Sequence, residues 1–284
     1  MSNNKLEPVR EQILAQFSPR EVNFAELEVG LDQLYGSNLK RSRLALGWSQ
    51  EKTAAEIGVS LSQYRKYESG SDYARMGTTA RYMMRTGVPF QYFFLGGGYD
   101  YLFSSLTIRA DLLQMQIFVG QSNDREFNHF VHLLSEMLEV PLPTPLDTDG
   151  LIWPSRQEVA AEIDGYYAMV AEGLRSFRDV LHIPQDMVAD LLGIASSTMG
   201  NYERASNEPH FNVIMALRLW AATGVNPLWL TYGSHFFNMR MLQHKRMEYL
   251  CQMLHGLPVP ALPNLTQAVV ALGTLRADVR GSRS

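Results

Sequence analysis

The pattern of apolar residues has a helical period along most of the chain. Apolar side chains recur three and four positions apart between residues 24 and 35 and again between residues 155 and 181. The same spacing between residues 124 and 139 places Phe127 and Phe130 on one face. Such spacing is typical of amphipathic helices. We therefore expect an all-α protein.

The stretch Trp48–Gly70 predicts two short helices joined by a tight turn. Ser49 can cap the first helix, and Gly58 permits the positive φ that the turn requires. Ser60 then begins the second helix, and Gln63 follows three residues later. This is the spacing of a capping box, in which each of the two side chains bonds a free backbone amide of the other residue.

The second of these helices is expected to have two different faces. Tyr64 and Tyr67 are three positions apart, so they share a face that we expect to point into a core. The opposite face carries Leu61, Ser62, Arg65 and Lys66. A short helix that exposes polar and basic residues, and is held by a crossing helix, can enter the major groove of DNA.

A second copy of this stretch lies between residues 185 and 203. The matched residues, each 135 positions apart, are Gln50 with Gln185, Ala54 with Ala189, Gly58 with Gly193, and Tyr67-Glu68 with Tyr202-Glu203. Downstream, Thr86-Gly87-Val88 recurs as Thr223-Gly224-Val225 at an offset of 137 positions. A repeat of this kind predicts the tandem duplication of one helical unit.

The composition is that of a soluble globular protein, and its net charge limits how the protein could bind nucleic acid. The chain has 284 residues, enough for two ordinary domains, a formal net charge of −4, and a single cysteine. A nucleic-acid-binding protein with this net charge must carry its positive charge locally. One cysteine cannot form an internal disulfide, and the sequence has neither an apolar signal region nor a membrane-spanning stretch. We expect a cytoplasmic protein that does not enter membranes.

Motifs that would indicate an enzyme are not found in the sequence. We find no glycine-rich phosphate loop, no paired catalytic carboxylates and no nucleophile elbow. His129, His132 and Glu136 share a helix face, but they form only an incomplete ligand set for a metal ion. We therefore expect no catalytic activity, no cofactor and no metal site.

The stretch from Trp48 to Gly70 closely resembles the helix-turn-helix of the XRE, or lambda-repressor-like, family. The matching residues are Trp48-Ser49-Gln50, Ala54-Ala55, Gly58-Val59-Ser60, Tyr64, Tyr67-Glu68-Ser69-Gly70 and, downstream, Thr86-Gly87-Val88-Pro89. The resemblance implies a five-helix domain that binds double-stranded DNA, with the second helix of the motif in the major groove.

The resemblance also implies roles for individual residues of the first copy. Gln50 is expected to hydrogen-bond a phosphate or to brace the reading helix. The residues of the reading helix that are expected to contact DNA are Leu61, Ser62, Gln63, Arg65 and Lys66. The flanking basic residues that are expected to contact phosphates, and so to position the protein without specifying sequence, are Lys40, Arg41, Arg43 and Arg75.

The second copy departs from the first in charge. The basic pair Arg65-Lys66 corresponds to Gly200-Asn201. Residues 39–75 hold seven basic and four acidic residues, whereas residues 174–210 hold three basic and five acidic residues. Because non-specific attraction to DNA is electrostatic, the first copy should dominate affinity. The expected DNA contacts of the second copy are Gln185, Ser196, Ser197, Thr198, Asn201 and Arg204.

The proline-rich residues 141–154 interrupt the helical pattern and predict a linker. The expected parts are an N-terminal helix-turn-helix unit (1–140, core about 35–95), the linker (141–154) and a C-terminal unit (155–284, core about 170–231). Additional helices are expected over Ser105–Glu139 and His235–His255, where they would pack the copies together or form a homodimer.

These observations predict a sequence-specific DNA-binding transcriptional regulator with two helix-turn-helix units in one chain, of the type found in phages and other mobile elements. The alternative is a protein-interaction regulator in which the second copy binds a protein partner, such as RNA polymerase or another regulator. We also expect a homodimer.

Overall fold

The computed structural model describes residues 4–103, 107–148, 150–204 and 211–255, together with Gln267. Within these ranges the protein is helical and has no strand, as predicted. The α-helices are α1 (Arg10–Gln16), α2 (Phe24–Leu27), α3 (Leu31–Ala45), α4 (Gln50–Ile57), α5 (Leu61–Glu68), α6 (Met76–Thr86), α7 (Leu113–Gln121), α8 (Asp124–Leu138), α9 (Arg156–Asp164), α10 (Tyr166–Leu181), α11 (Gln185–Leu192), α12 (Ser196–Tyr202), α13 (Val213–Thr223) and α14 (His235–Leu254). Short 3₁₀ helices occupy Glu7–Val9, Phe90–Phe94, Asp100–Leu102, Ala110–Leu112 and Pro227–Thr231. No helix in the described part of the chain is long and apolar enough to cross a membrane.

The helices from α3 to α6 recur, in the same order and with nearly the same lengths, as α10 to α13. The helices α4 and α11 begin 135 positions apart, at Gln50 and Gln185, and each consists of eight residues. The threonines that end α6 and α13, Thr86 and Thr223, form the same two hydrogen bonds. Each hydroxyl donates to the carbonyl four residues earlier and accepts from the amide two residues later. The repeated sequence thus forms repeated local structure, down to individual helix ends.

The two sets of helices meet at a short antiparallel backbone contact. Arg75 and Asn212, which are 137 positions apart, form an isolated antiparallel bridge. Beside it, backbone hydrogen bonds of 3.0 and 3.3 Å run from the amide after each bridge residue to the carbonyl before the other. Adding the repeat offset exchanges these two bonds, which is the signature of an isologous contact. A local two-fold axis therefore passes between the starts of α6 and α13.

The hydrophobic core is continuous across the two halves. Its main cluster joins Tyr35 and Phe94 of the first set of helices to Phe177 and Phe236 of the second half. The additional helices expected from the sequence are present as α7, α8 and α14, and they form a smaller cluster with one another. Because α14 belongs to the second half and packs against α7 of the first half, these helices hold the halves of one chain together.

Residues near the N-terminus pack against the second half of the chain. Lys5 donates from Nζ to two backbone carbonyls of that half, at 2.9 and 3.1 Å. The Ser18 amide donates to the Thr223 carbonyl at 2.8 Å, and Glu28 forms a 2.7 Å ion pair with Arg218 on α13. The segment before α3 therefore belongs structurally to both halves.

The prediction of one helix over residues 155–181 is wrong at its centre. The chain forms α9 and α10 in this region, with Gly165 between them. Gly165 has a φ of −95° and a ψ of 15°, outside the helical range. Glycine lacks a Cβ and has a low helix propensity, so the apolar period continues across the residue while the helix itself breaks.

Candidate nucleic-acid interface

The helices α4 and α5 begin at the residues expected from the sequence, and local hydrogen bonds cap both of them. The Ser49 and Ser60 hydroxyls each accept a hydrogen bond from the amide three residues later, at 3.1 Å. Gly58 lies between the helices with a φ of 71°, the left-handed conformation that the turn requires. The capping box at Ser60 is only half formed. The Gln63 side chain donates to Asp72 Oδ2 at 2.7 Å instead, because an ionised carboxylate is a strong acceptor.

The two faces of α5 are those that the sequence predicted. Tyr64 and Tyr67 are buried, with 0% and 4% of their surface exposed. On the other side Ser62, Arg65 and Lys66 are exposed, while Leu61 and Gln63 are half-buried. The helix therefore presents a polar and basic surface, supported from behind by aromatic packing.

A buried carboxylate, Glu68, joins three helices of this unit. Arg43 on α3 donates from Nε to Glu68 Oε1 at 2.5 Å and from Nη2 to Oε2 at 3.2 Å. Gln50 on α4 donates to Glu68 Oε2 at 2.6 Å, and Tyr64 donates to Oε1 at 2.9 Å. Only 5% of the Glu68 side chain is exposed. The carboxylate at the end of α5 thus fixes this helix relative to α3 and α4.

The ionised form of Glu68 is stabilised by these donors. Burial by itself would raise the pKa of Glu68, since a buried charge loses its hydration. The hydrogen bonds from Arg43, Gln50 and Tyr64 outweigh this effect and hold the pKa below its usual value. The Arg43–Glu68 pair is therefore charged at neutral pH.

Arg43, Gln50 and Arg75 were expected to contact DNA, but each is partly or fully buried and makes contacts within the protein. The prediction that Arg43 contacts a phosphate is wrong, because only 7% of this residue is exposed and its guanidinium binds Glu68 and the Trp48 carbonyl. Gln50 adopts the bracing arrangement, one of the two roles expected for it. Arg75 is half-buried, and its backbone forms part of the bridge at the local two-fold axis.

The other basic residues of the first unit that were expected to contact DNA are exposed to solvent. Arg65 donates from Nε to Gln50 Oε1 at 3.3 Å, and its Nη2 lies 3.6 Å from Glu51, yet 58% of its side chain is exposed. Lys40, Arg41 and Lys66 are exposed as well. Contacts thus link Glu68 through Gln50 to Arg65. They hold the exposed guanidinium of Arg65 in position.

The second set of helices repeats the buried network. Arg178 donates to both carboxylate oxygens of Glu203, at 2.5 and 2.9 Å, and Gln185 donates to Glu203 Oε2 at 2.9 Å. These three residues are the counterparts of Arg43, Glu68 and Gln50 at the 135-position offset. Gln185, expected to contact DNA, therefore has the same bracing role as Gln50.

The exposed face of α12 differs from that of α5. Ser196, Ser197 and Asn201 are exposed, and Thr198 is half-buried. Arg204 is exposed and donates to Asn201 Oδ1 at 3.3 Å. Ala195 occupies the position of the Ser60 cap, so α12 begins without a side-chain hydrogen bond. This face is polar and nearly neutral.

The surroundings of the second motif also differ from those of the first. Asp186 and Asp190 are exposed on α11 and would repel phosphates. Phe24, from the N-terminal segment, lies over the turn before α12, where a Cβ added at Gly193 would be 3.5 Å from its ring. The same ring stacks on the Arg218 guanidinium, 4.7 Å from its centroid. The N-terminal segment therefore covers part of the turn between α11 and α12.

The role of Glu68 was missed from the sequence, although a signal was present. Arg43 and Glu68 recur as Arg178 and Glu203 at the same offset of 135 positions. An arginine and a glutamate that repeat together are consistent with a structural ion pair, but a basic residue beside a helix-turn-helix also suggests a phosphate contact. Burial decides between the two.

Residues 39–93 match the HTH_3 family model, described as helix-turn-helix. The chain thus contains one helix-turn-helix domain of the XRE type, which comprises α4, α5, α6 and the adjacent ends of its neighbours. No curated protein and no solved structure matches the chain.

Proposed function

We propose that the protein is a sequence-specific DNA-binding transcriptional regulator whose helix α5 reads the major groove. One observation carries this proposal: the matched domain exposes Ser62, Arg65 and Lys66 on a helix that Glu68 holds rigidly. Arginine in such a position pairs bidentately with guanine, and Leu61 suits the methyl group of thymine. Exposed Lys40 and Arg41 suit phosphates.

We further propose that the second set of helices is a second helix-turn-helix unit, so that one chain acts as a pseudo-dimer. The repeated helix order and the Arg178–Glu203–Gln185 network support this interpretation. The local two-fold contact at Arg75 and Asn212 supports an arrangement of the units like that of the subunits in a symmetric dimer. The two half-sites would then be inverted, and they would differ in sequence because the faces of α5 and α12 differ.

A protein-interaction role for the second unit is the competing proposal. The exposed Asp186 and Asp190, and the absence of a basic pair on α12, favour a protein surface over a phosphate backbone. Candidate partners are RNA polymerase, another regulator or a second copy of this chain. The proposal of a DNA-binding regulator also includes a phage or mobile-element origin, a cytoplasmic location and the absence of catalytic activity.

Whether α5 of the first unit reads DNA bases can be tested by DNA selection followed by an electrophoretic mobility-shift assay. Duplexes that the full chain enriches from a random pool are titrated with Arg65→Ala and Lys66→Ala variants. Loss of one good base contact predicts affinity reduced roughly 10- to 100-fold. Arg125→Ala, an exposed arginine on α8, is the matched control and should bind normally. Unchanged affinity in both α5 variants would refute base reading by α5.

Footprinting tests the second unit on the same duplex. Two inverted protected half-sites, and weaker binding by Ser197→Ala with Asn201→Ala, are expected if α12 reads DNA. A single protected half-site, with no effect of these substitutions, would instead support the protein-interaction role of the second unit.

A further inference from the structure

A cavity of about 280 Å³ lies between the two halves of the chain. Its wall is mainly apolar and comes from both halves: Met83 and Phe90 from the first, Trp220, Leu228 and Phe236 from the second. The volume is just under the roughly 300–1,000 Å³ that small-molecule sites span. The exposed His244 is among the lining residues, which indicates an opening to solvent beside α14.

One charged side chain, Arg240 on α14, lines this cavity. Its two hydrogen bonds both use Nη1, which donates to the Gly87 carbonyl at 3.2 Å and to Gln243 Oε1. No carboxylate in the described ranges lies within ion-pair distance of Arg240, and no described residue accepts from its Nε and Nη2.

Three other partly or fully buried arginines show what this edge of a guanidinium can bind. In Arg43, Arg178 and Arg218, Nε and Nη2 donate side by side to the two oxygens of one carboxylate. Parallel donation of this kind is the strongest arginine–carboxylate geometry. Arg240 has the same donor edge but lacks the carboxylate.

The Arg240 guanidinium is charged at neutral pH despite its surroundings. Burial lowers its pKa to about 10, which leaves it protonated at pH 7. Arg240 is half-buried, and a partly desolvated cation with only neutral acceptors is costly, because the lost hydration is not replaced by a counter-ion. An anion brought into the cavity would supply that counter-ion.

We propose that this cavity binds a small organic acid, with its carboxylate on Nε and Nη2 of Arg240 and its apolar body among Phe90, Trp220 and Phe236. The apolar wall selects an aromatic or branched body over a simple inorganic anion. The single arginine selects one carboxylate over a dianion. Because both halves form the wall, an occupied cavity ties them to one relative arrangement.

Titration of the full chain with 3-phenylpropionate and with its neutral amide, 3-phenylpropionamide, tests the charge requirement. Calorimetry should show the acid binding roughly ten- to a hundred-fold more tightly than the amide, because only the acid forms charge-assisted hydrogen bonds. Arg240→Gln should reduce the affinity for the acid to that for the amide, and Arg240→Lys should retain part of the preference. Arg125→Ala serves as the control and should keep it.

Trp220 locates the bound acid. Its fluorescence should change on titration with the acid, and Trp220→Phe should remove that change while calorimetric binding persists. Equal affinity for acid and amide, or no binding of either to the wild-type chain, would overturn the proposal. The titrations with the acid and with the amide use the wild-type chain, so they decide the question even if Arg240→Gln fails to fold.

Discussion

The buried Arg43–Glu68 pair leads to a sharp prediction about stability. Glu68→Gln preserves the volume of the side chain but removes its charge. The side chains of Arg43 and Glu68 are only 9% and 5% exposed, so the substitution leaves a buried guanidinium without a counter-ion. Breaking a buried pair in this way costs ~3–5 kcal/mol. We expect the free energy of unfolding to fall by about that amount.

An exposed pair of the same chemistry provides the control. Arg109 donates to Asp111 from Nε at 2.9 Å, but these side chains are 47% and 44% exposed. Asp111→Asn should therefore cost less than ~1 kcal/mol. The double variant Arg43→Met with Glu68→Gln removes the stranded charge, so it should be destabilised by less than the sum of the single variants. Urea denaturation followed by circular dichroism measures the wild type, the three single variants and the double variant.

The pH dependence gives an independent check. The pKa of Glu68 is lowered in the folded protein, so its charge stabilises the fold above the unfolded pKa of about 4.3. That contribution is lost as the pH falls through the lowered folded pKa. The stability difference between wild type and Glu68→Gln should be constant near neutral pH and shrink below about pH 4. A cost no larger than that of Asp111→Asn, or a pH-independent difference, would refute the reasoning.

Three further predictions concern packing and helix ends. Gly120→Val should destabilise α7 strongly and lower the melting temperature, because a Cβ at Gly120 would lie 2.1 Å from the Gly87 Cα atom; an unchanged melting temperature would disprove this close contact. Ala195→Ser should supply the missing cap of α12 and stabilise the fold by about 1 kcal/mol, while Ser60→Ala should cost a similar amount; urea midpoints that move in the same direction for both would contradict the assignment of these caps. Arg218→Met should loosen the attachment of the segment before α3 to α13, which faster proteolysis near residues 17–23 would detect; equal cleavage of the variant and the wild type would argue against anchoring by this ion pair.

Local chemistry explains why much of the candidate interface could be predicted from the sequence. A serine three residues before a free amide, and a glycine at a left-handed turn, act over a few residues, so Ser49, Gly58 and Ser60 predicted where α4 and α5 begin and end. The spacing of Tyr64 and Tyr67 likewise predicted which side of α5 is buried. Solvent exposure of Arg65 and Lys66 follows from the same helical geometry.

Contacts between distant residues could not be predicted in this way. Arg43 and Lys40 are both basic residues on one helix, and only the position of α5 makes one an ion-pair partner of Glu68 while the other stays in solvent. Gln63 had two acceptable hydrogen-bond partners, and the path of the chain after α5 brought Asp72 within reach. The spacing of Ser60 and Gln63 in the sequence is the same whichever partner Gln63 binds.

The sequence by itself determined that the chain is helical, that it contains a helix-turn-helix, and that several residues of this stretch recur 135 positions later. These properties depend on helix period, capping and turn chemistry, which are encoded within short segments. The tertiary structure alone decided which basic residues are buried, how residues 5–28 join the second half, and that Arg240 faces a cavity between the halves. Those outcomes depend on packing between segments up to 225 positions apart, where burial rather than residue type determines what a charge can bind.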